Sequence, residues 1–363
     1  MTARDPGLAS WLQLTLTPGI GAATLRRLLS QHGLPEHIVA LPRAELVVQL
    51  GAEAATALHS HPVGEAVERA LRWLEAPGHA VVTLGDPAYP RLLLEISDPP
   101  PLLYCRGRSE LLNSPSLGVV GSRNATAQGS ANAEMFSRSF SQAGLTIISG
   151  LAQGIDAAAH RGGLQGPGST IAVLGTGVDL VYPRSNTALA EEIASNGLLV
   201  SEYPLGSGAL AHHFPRRNRV ISGLASGCLV VEAALASGSL ITARAAAEQG
   251  REVFAVPGSI HSPLSKGCHA LIKSGAKLAE SAEDVLSELQ AFRPPAPRQA
   301  RGHREVRGQT HPLLEHMGFD PVDVDALFLR SGFPVDQITA QLLQLELDGR
   351  ITALPGGLFQ RKD

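Results

Sequence analysis

From about residue 81 to 290 the chain alternates between two textures. Short runs rich in β-branched residues, LGVVG (117–121), TIISG (146–150), TIAVLG (170–175), LLVSE (198–202), CLVVEA (228–233) and EVFAVPG (252–258), end in Gly, Ser, Pro or an acid, and most are followed by stretches with helical spacing. Apolar runs without in–out alternation, separated by helices, predict a parallel sheet covered on both faces. The repeated βαβ spacing predicts an α/β, extended Rossmann-like, doubly wound domain. Residues 1–80 read as helical, with no strand-like run before AVVTL (80–84). Residues 291–310 are rich in Pro and Arg and read as a linker. In 311–363, VDVDALFLRSG and PVDQITAQLLQLELDGR have helical spacing, and ITALPGGLFQR reads as a hairpin turning at Pro355–Gly357. That order predicts a winged-helix-like module. Its second helix carries acids and few basic residues, which suits protein docking at least as well as major-groove reading.

Composition narrows the picture. The chain has 363 residues, 44% hydrophobic and 4% aromatic, with 38 Gly and 25 Pro, which suits an α/β protein with many tight turns. The three cysteines form no CxxC pair, so a reducing, cytoplasmic setting is expected, without a disulfide framework or zinc site. No basic start followed by an apolar run marks a signal peptide. The longest nearly uncharged run, 220–243, contains Glu232 and many small residues and reads as helix end, strand and helix start, not a membrane span. The formal charge of −3 makes local patches, not the total, decide any nucleic-acid binding.

Several strand ends carry chemistry. In VVGSRNAT (119–126), Gly121, Ser122 and Arg123 form a turn that offers N–H groups, a hydroxyl and a guanidinium to a phosphate, and Asn124 or Thr126 caps the next helix. The turn is neither GxGxxG nor a P-loop, so no nucleotide cofactor is expected. In SGLAQGIDAAAH (149–160), Gly150 and Gly154 keep a strand-to-helix turn open, Asp156 sits in the helix's first turn, and His160 reads as a packed, hydrogen-bonded side chain. LGTGVDLVYPRSN (174–186) is a third glycine-rich turn, with Asp179 and Arg184. FPRRNRVISG (214–223) puts Phe214, in a loop, beside Arg216, Arg217, Asn218 and Arg219, a set suited to stacking a base and holding phosphates. Ser237, Gly238, Ser239 and Thr242 open another helix and suit an anion. Near the amino terminus, PGIG (18–21) before Arg26 and Arg27 has the form of a helix-hairpin-helix turn or of a plain inter-helix turn. Asp156, Asp179, Glu202 and Glu232 all lie near strand ends, where acids from different strands serve a metal or acid–base chemistry only if they converge.

These blocks, in this order, resemble the DNA-processing protein A (DprA, or Smf) family. The matching pieces are YPRLLLEISDPPPLLYCRG (89–107), GSR (121–123), SGLAQGID (149–156), AVLGTGVDLVYP (172–183), SEYP (201–204), FPRRNR (214–219), VVEAALASGSLITA (230–243), VFAVPG (253–258) and KGCHALIKSGA (266–276). The resemblance implies a sterile-alpha-motif-like domain in front, a winged-helix-like domain behind, and a non-enzymatic protein. Such a protein binds single-stranded DNA, dimerises, loads RecA during natural transformation and can also meet single-strand-binding protein. The family's pocket falls on Gly121, Ser122, Arg123, Ser149, Gly150, Gly154, Phe214, Arg216, Arg217, Asn218 and Arg219. A lysine common three positions before the phenylalanine is Ala211 here, with Arg216 as its substitute. The family's dimer contacts fall on His269, Ile272 and Leu278, although many relatives have Asn at the position of His269. The alternative is an enzyme resembling nucleotide phosphoribohydrolases, whose PGGxGT turn is replaced by GTGVD (175–179).

Overall fold

The computed structural model describes residues 7–289, 311–317, 321–354 and 356–361. The linker expected at 291–310 and Pro355 of the expected hairpin turn lie outside them. Six helices come first: α1 (Leu8–Leu16), α2 (Ala22–His32), α3 (Pro35–Val39), α4 (Arg43–Leu50), α5 (Ala52–Ala57) and α6 (His61–Trp73). There follow β1 (His79–Thr83), α7 (Arg91–Leu94), β2 (Leu102–Gly107), β3 (Ser116–Val120), α8 (Ala127–Gln142), β4 (Thr146–Ser149), α9 (Ile155–Leu164) and β5 (Thr170–Val173). Next are α10 (Thr187–Asn196), β6 (Leu198–Ser201), α11 (His213–Leu224), β7 (Gly227–Val230), α12 (Ser239–Glu248), β8 (Glu252–Ala255), α13 (Lys266–Lys273), β9 (Lys277–Leu278) and α14 (Ala282–Glu288).

The nine strands form one sheet in the order β1-β2-β6-β5-β4-β3-β7-β8-β9. From β6 to β9 every pairing is parallel, which bears out the doubly wound reading. The antiparallel pairings of β1 with β2 and β2 with β6 extend the sheet at one edge. Strand β2 lies in PPPLLYCRG, where prolines mask the strand signal, and β9 has only two residues, too few for a periodic pattern.

Neighbouring residues on one strand serve opposite faces. Leu117, Val119, Ile147 and Leu229 pack with Phe136 and Phe140 of α8. Val120, Ile148 and Val230 pack with Val220, Ile221 and Leu224 of α11 and Leu240 and Ala243 of α12. A third cluster runs without a break from Leu8, Trp11 and Leu12 of α1 to Tyr104, Ala172 and Leu199 of the sheet, so the amino-terminal helices share a core with it. The run 220–243 is the end of α11, all of β7 and the start of α12.

The carboxyl-terminal module comprises α15 (Pro312–Met317), α16 (Val324–Ser331), α17 (Val335–Leu347) and the antiparallel pair β10 (Ile351–Leu354) and β11 (Leu358–Arg361). Leu313, Leu314, Leu327, Ile338, Leu342 and Ile351 form its core.

Candidate nucleic-acid interface

The chain winds from β3 through β4, β5 and β6 to one side and returns to β7 on the other, so β3 and β7 flank the point where strand order reverses. Ligands of doubly wound sheets bind beyond the carboxyl ends of strands at such a point. A cleft of about 800 Å³ opens there. One wall is the β3–α8 turn, Gly121 to Asn124; the opposite wall is the β7–α12 turn, with Ser237, Gly238 and Ser239; Phe214, Arg217 and Asn218 of α11 and Tyr182 complete it.

The β3–α8 turn is fixed from below. Thr126, one of the two expected caps, is the N-cap of α8 and accepts from Gly129 N–H at 2.8 Å. Glu232 accepts from Thr126 N–H at 3.0 Å and from its hydroxyl at 2.6 Å. A β-carbon on Gly129 would lie 2.3 Å from the Glu232 carboxyl carbon, so only glycine admits this acid. Ser122 is buried; its carbonyl accepts from Ile155 N–H and its hydroxyl from Asn124 N–H, both at 3.1 Å. Gly154, at φ +74°, passes so close that a β-carbon there would meet the Ser122 carbonyl at 2.3 Å. Arg123 is left exposed, its guanidinium 5.7 Å from the centre of the Phe214 ring.

Phe214 lies in the first turn of α11, not in a loop, because Pro215 lacks an N–H and fits a helix start. Its ring is half-buried against Gly175, where a β-carbon would approach to 2.9 Å. Tyr182, 51% exposed, has its ring centre 5.5 Å from that of Phe214, tilted by 48°. Nothing in YPRS marks Tyr182 in the sequence, because its neighbour Phe214 is brought to it only across the fold.

The three arginines of FPRRNR diverge. Arg217 is 4% exposed and lines the cleft floor, where its Nη1 donates to the Val173 carbonyl at 2.6 Å. Burial pulls its pKa down to about 10, with Asp156 opposing and Arg123 adding to the shift. Asp156 is itself buried, which raises its pKa against the attraction of Arg217; it accepts from the backbone N–H groups of Gly150 at 3.1 Å and Ala152 at 3.4 Å. Ser149 donates to the Val119 carbonyl at 2.6 Å and stays below the surface. Arg219 turns away from the cleft and pairs with Glu202 and the Asp98 carbonyl. Arg216 lies 3.8 Å from Glu202, also outside the cleft, whereas Ala211 lines it. Ala211 thus brings no charge to the cleft, and Arg216 is not among the residues that line it. Asn218 stays on the cleft side, 3.4 Å from the Gly238 carbonyl.

The four acids near strand ends do not act together. Asp156 serves the β4–α9 turn, Asp179 accepts from Gly206 N–H at 2.9 Å, Glu202 pairs with Arg219, and Glu232 holds Thr126. Among the described residues no group of three or more His, Cys, Asp or Glu is arranged to hold a metal ion. His160 is fully buried between Leu151 N–H, at 3.2 Å from Nε2, and the Thr170 hydroxyl, at 2.7 Å from Nδ1. The Thr170 hydroxyl donates to the Ile147 carbonyl, which assigns the ring proton to Nδ1. Burial, with Arg217 and Arg161 adding, pulls the His160 pKa down to about 3. The ring thereby supports Leu151, which holds φ +57° without being glycine.

At PGIG, Gly19 adopts φ +87°, and the two arginines behind it are engaged within the protein. Arg26 donates to Asp98 at 2.8 Å and Arg27 to Gln49 at 2.7 Å. On the far side of the domain, His269 sits 3.0 Å from the Gly258 carbonyl, Ile272 is half-buried, and Leu278 is 46% exposed on β9, the last strand of the sheet. No helix among the described residues is long and apolar enough to cross a membrane.

Known families and structures match the chain over most of its length. The family described as DNA recombination-mediator protein A matches residues 80–290, and the DprA winged helix domain matches residues 294–357. The chain belongs to the DprA family. It is 45% identical over 300 residues to Protein Smf of Escherichia coli K12, covering 81% of this chain and 80% of that one. It is 50% identical over 205 residues to the DNA processing protein DprA of Streptococcus pneumoniae R6, covering 56% and 72%. The X-ray structure of the Streptococcus pneumoniae DprA superposes with a TM-score of 0.66 at 39% identity, over 77% of this chain and 95% of that one. The DprA of Helicobacter pylori, described for its single-stranded DNA binding mode, superposes with a TM-score of 0.54 at 29% identity, over 59% and 97%.

Proposed function

We propose that this DprA-family protein binds single-stranded DNA in the cleft between β3 and β7 and acts by binding, without catalysis. The observation that carries the reading is the exposed Arg123 guanidinium beside the half-buried Phe214 ring, with Tyr182 behind it and the Ser122 and Ser237–Ser239 turns on either side. A guanidinium holds a phosphate, an aromatic face stacks any base, and backbone N–H groups at helix starts favour anions. Gly121, Gly150 and Gly154 let the backbone and Arg217 close up beneath that surface. Arg217, Arg219 and Ser149 support the cleft from behind, and Arg123 and Asn218 meet the strand.

Family membership supports a finer role. The protein hands the bound strand to RecA in the cytoplasm during transformation or recombination, as a homodimer built around His269, Ile272 and Leu278, and can meet single-strand-binding protein on the same strand. The exposure of Leu278 on the last strand of the sheet supports the dimer surface.

Fluorescence anisotropy with labelled oligo-dT and its duplex, titrated with salt, tests the site. Wild type prefers the single strand, and Arg123→Ala lowers the slope of log affinity against log salt by about one. Equal affinity for duplex, or an unchanged slope, overturns the assignment.

A further inference from the structure

The carboxyl-terminal module is not part of the cleft, and its second helix is unusual for a winged helix. In such modules that helix reads base edges in the major groove with Arg, Lys, Asn or Gln while basic side chains hold phosphates. Helix α17 contains no Lys or Arg; its glutamines, Gln337, Gln341 and Gln344, have no cation on the helix beside them to hold a phosphate, and Gln344 donates to Asp348 at 3.1 Å. Ile338, Leu342 and Leu345 point into the module's core. The opposite face exposes Ala340, Leu343 at 60% and Leu347 at 76%, one helical turn apart in succession. Asp336, Glu346 and Asp348 frame this stripe, all exposed. In the wing, Arg361 donates to the Leu314 carbonyl at 3.0 Å and so is engaged within the module.

We propose that the exposed face of α17 docks an amphipathic helix from a different protein, one whose apolar stripe is flanked by lysines or arginines. The two exposed leucines at i and i+4 match the spacing with which one helix offers knobs to another. The acidic frame selects the partner's charge. It repels the phosphates of a duplex, and it disfavours a second copy of α17, because two faces with the same acidic frame repel each other. A basic amphipathic helix satisfies both the leucines and the acids.

The test uses the full chain and two synthetic helical peptides, one of leucine and lysine and one of leucine and glutamate at the same spacing. The expected result is saturable binding of the leucine–lysine peptide, weakened roughly tenfold or more by Leu343→Ser with Leu347→Ser. Reversing the frame with Asp336→Lys, Glu346→Lys and Asp348→Lys should switch preference to the leucine–glutamate peptide. Both leucines are exposed, so an unchanged melting temperature is expected and checks that the variant folds. Undiminished peptide binding by the serine variant overturns the proposal. So does loss of duplex binding or of self-association in that variant, which would assign the face to DNA or to a second copy.

Discussion

A β-carbon on Gly150 would lie 1.8 Å from Nη1 of Arg217. The absence of a side chain at one strand end is what lets an arginine from a helix more than sixty residues later lie flat in the cleft floor. There it meets the Val173 carbonyl and the field of Asp156. Gly150→Ala should therefore displace the guanidinium and cost about 1–3 kcal/mol, the scale of a lost charged hydrogen bond. Urea unfolding measures that loss and anisotropy the accompanying fall in single-strand affinity. Wild-type stability in the variant would show that Arg217 is not anchored there.

Arg219 should behave oppositely to Arg123. It is paired with Glu202, whose side chain is 6% exposed. Removing one partner of a buried pair strands the other charge, so Arg219→Ala should destabilise the protein by about 3–5 kcal/mol. Arg123→Ala should leave stability within about 0.5 kcal/mol, as expected of a surface change, while weakening binding. Chemical denaturation of both variants separates the two roles. A stable Arg219→Ala protein with a reduced salt slope would return Arg219 to the phosphate contacts.

Phe214→Ala should cost about 1–3 kcal/mol of single-strand affinity through lost stacking. Phe214→Tyr should keep most of it, because the ring and its contact with Tyr182 persist. Equal losses in the two variants, read by oligo-dT titration, would mean that the ring serves packing alone.

His160 gives a pH dependence with a definite sign. Its folded pKa, about 3, lies below the ordinary 6.5, so between these values the unfolded chain binds the extra proton. The contribution is complete above pH 6.5 and is lost as pH falls toward 3, at up to about 1.4 kcal/mol per pH unit. His160→Gln should be less stable at pH 8 and lack this component of the acid slope. Asp156, whose shift runs the other way, is common to both proteins and largely cancels in the comparison. Parallel stability–pH curves for the two proteins would contradict the buried neutral ring.

Much of this architecture is local in origin and therefore legible in the chain. Strands β3 to β8 are continuous β-branched runs, and the glycine-rich turns after β3, β4 and β5 announce backbone approach at strand ends. The serines at the start of α12 and a cap at Asn124 or Thr126 are read from the residues beside them. Strand β2 was hidden because its pairing with β1 and β6, not its own pattern, makes it a strand.

The residues themselves determined which turns could meet a phosphate, that His160 would be packed, and that α17 carries acids and no Lys or Arg. Only the tertiary structure divided FPRRNR into a floor residue, Arg217, and two side chains, Arg216 and Arg219, facing Glu202. It also joined Tyr182 to Phe214 and gave each of four acids its own partner. The physical reason is reach. Caps, turns and periodicity are set by residues a few positions apart. The direction in which an arginine on a helix spends its charge depends on carboxylates and carbonyls supplied by distant strands, and folding alone brings those near.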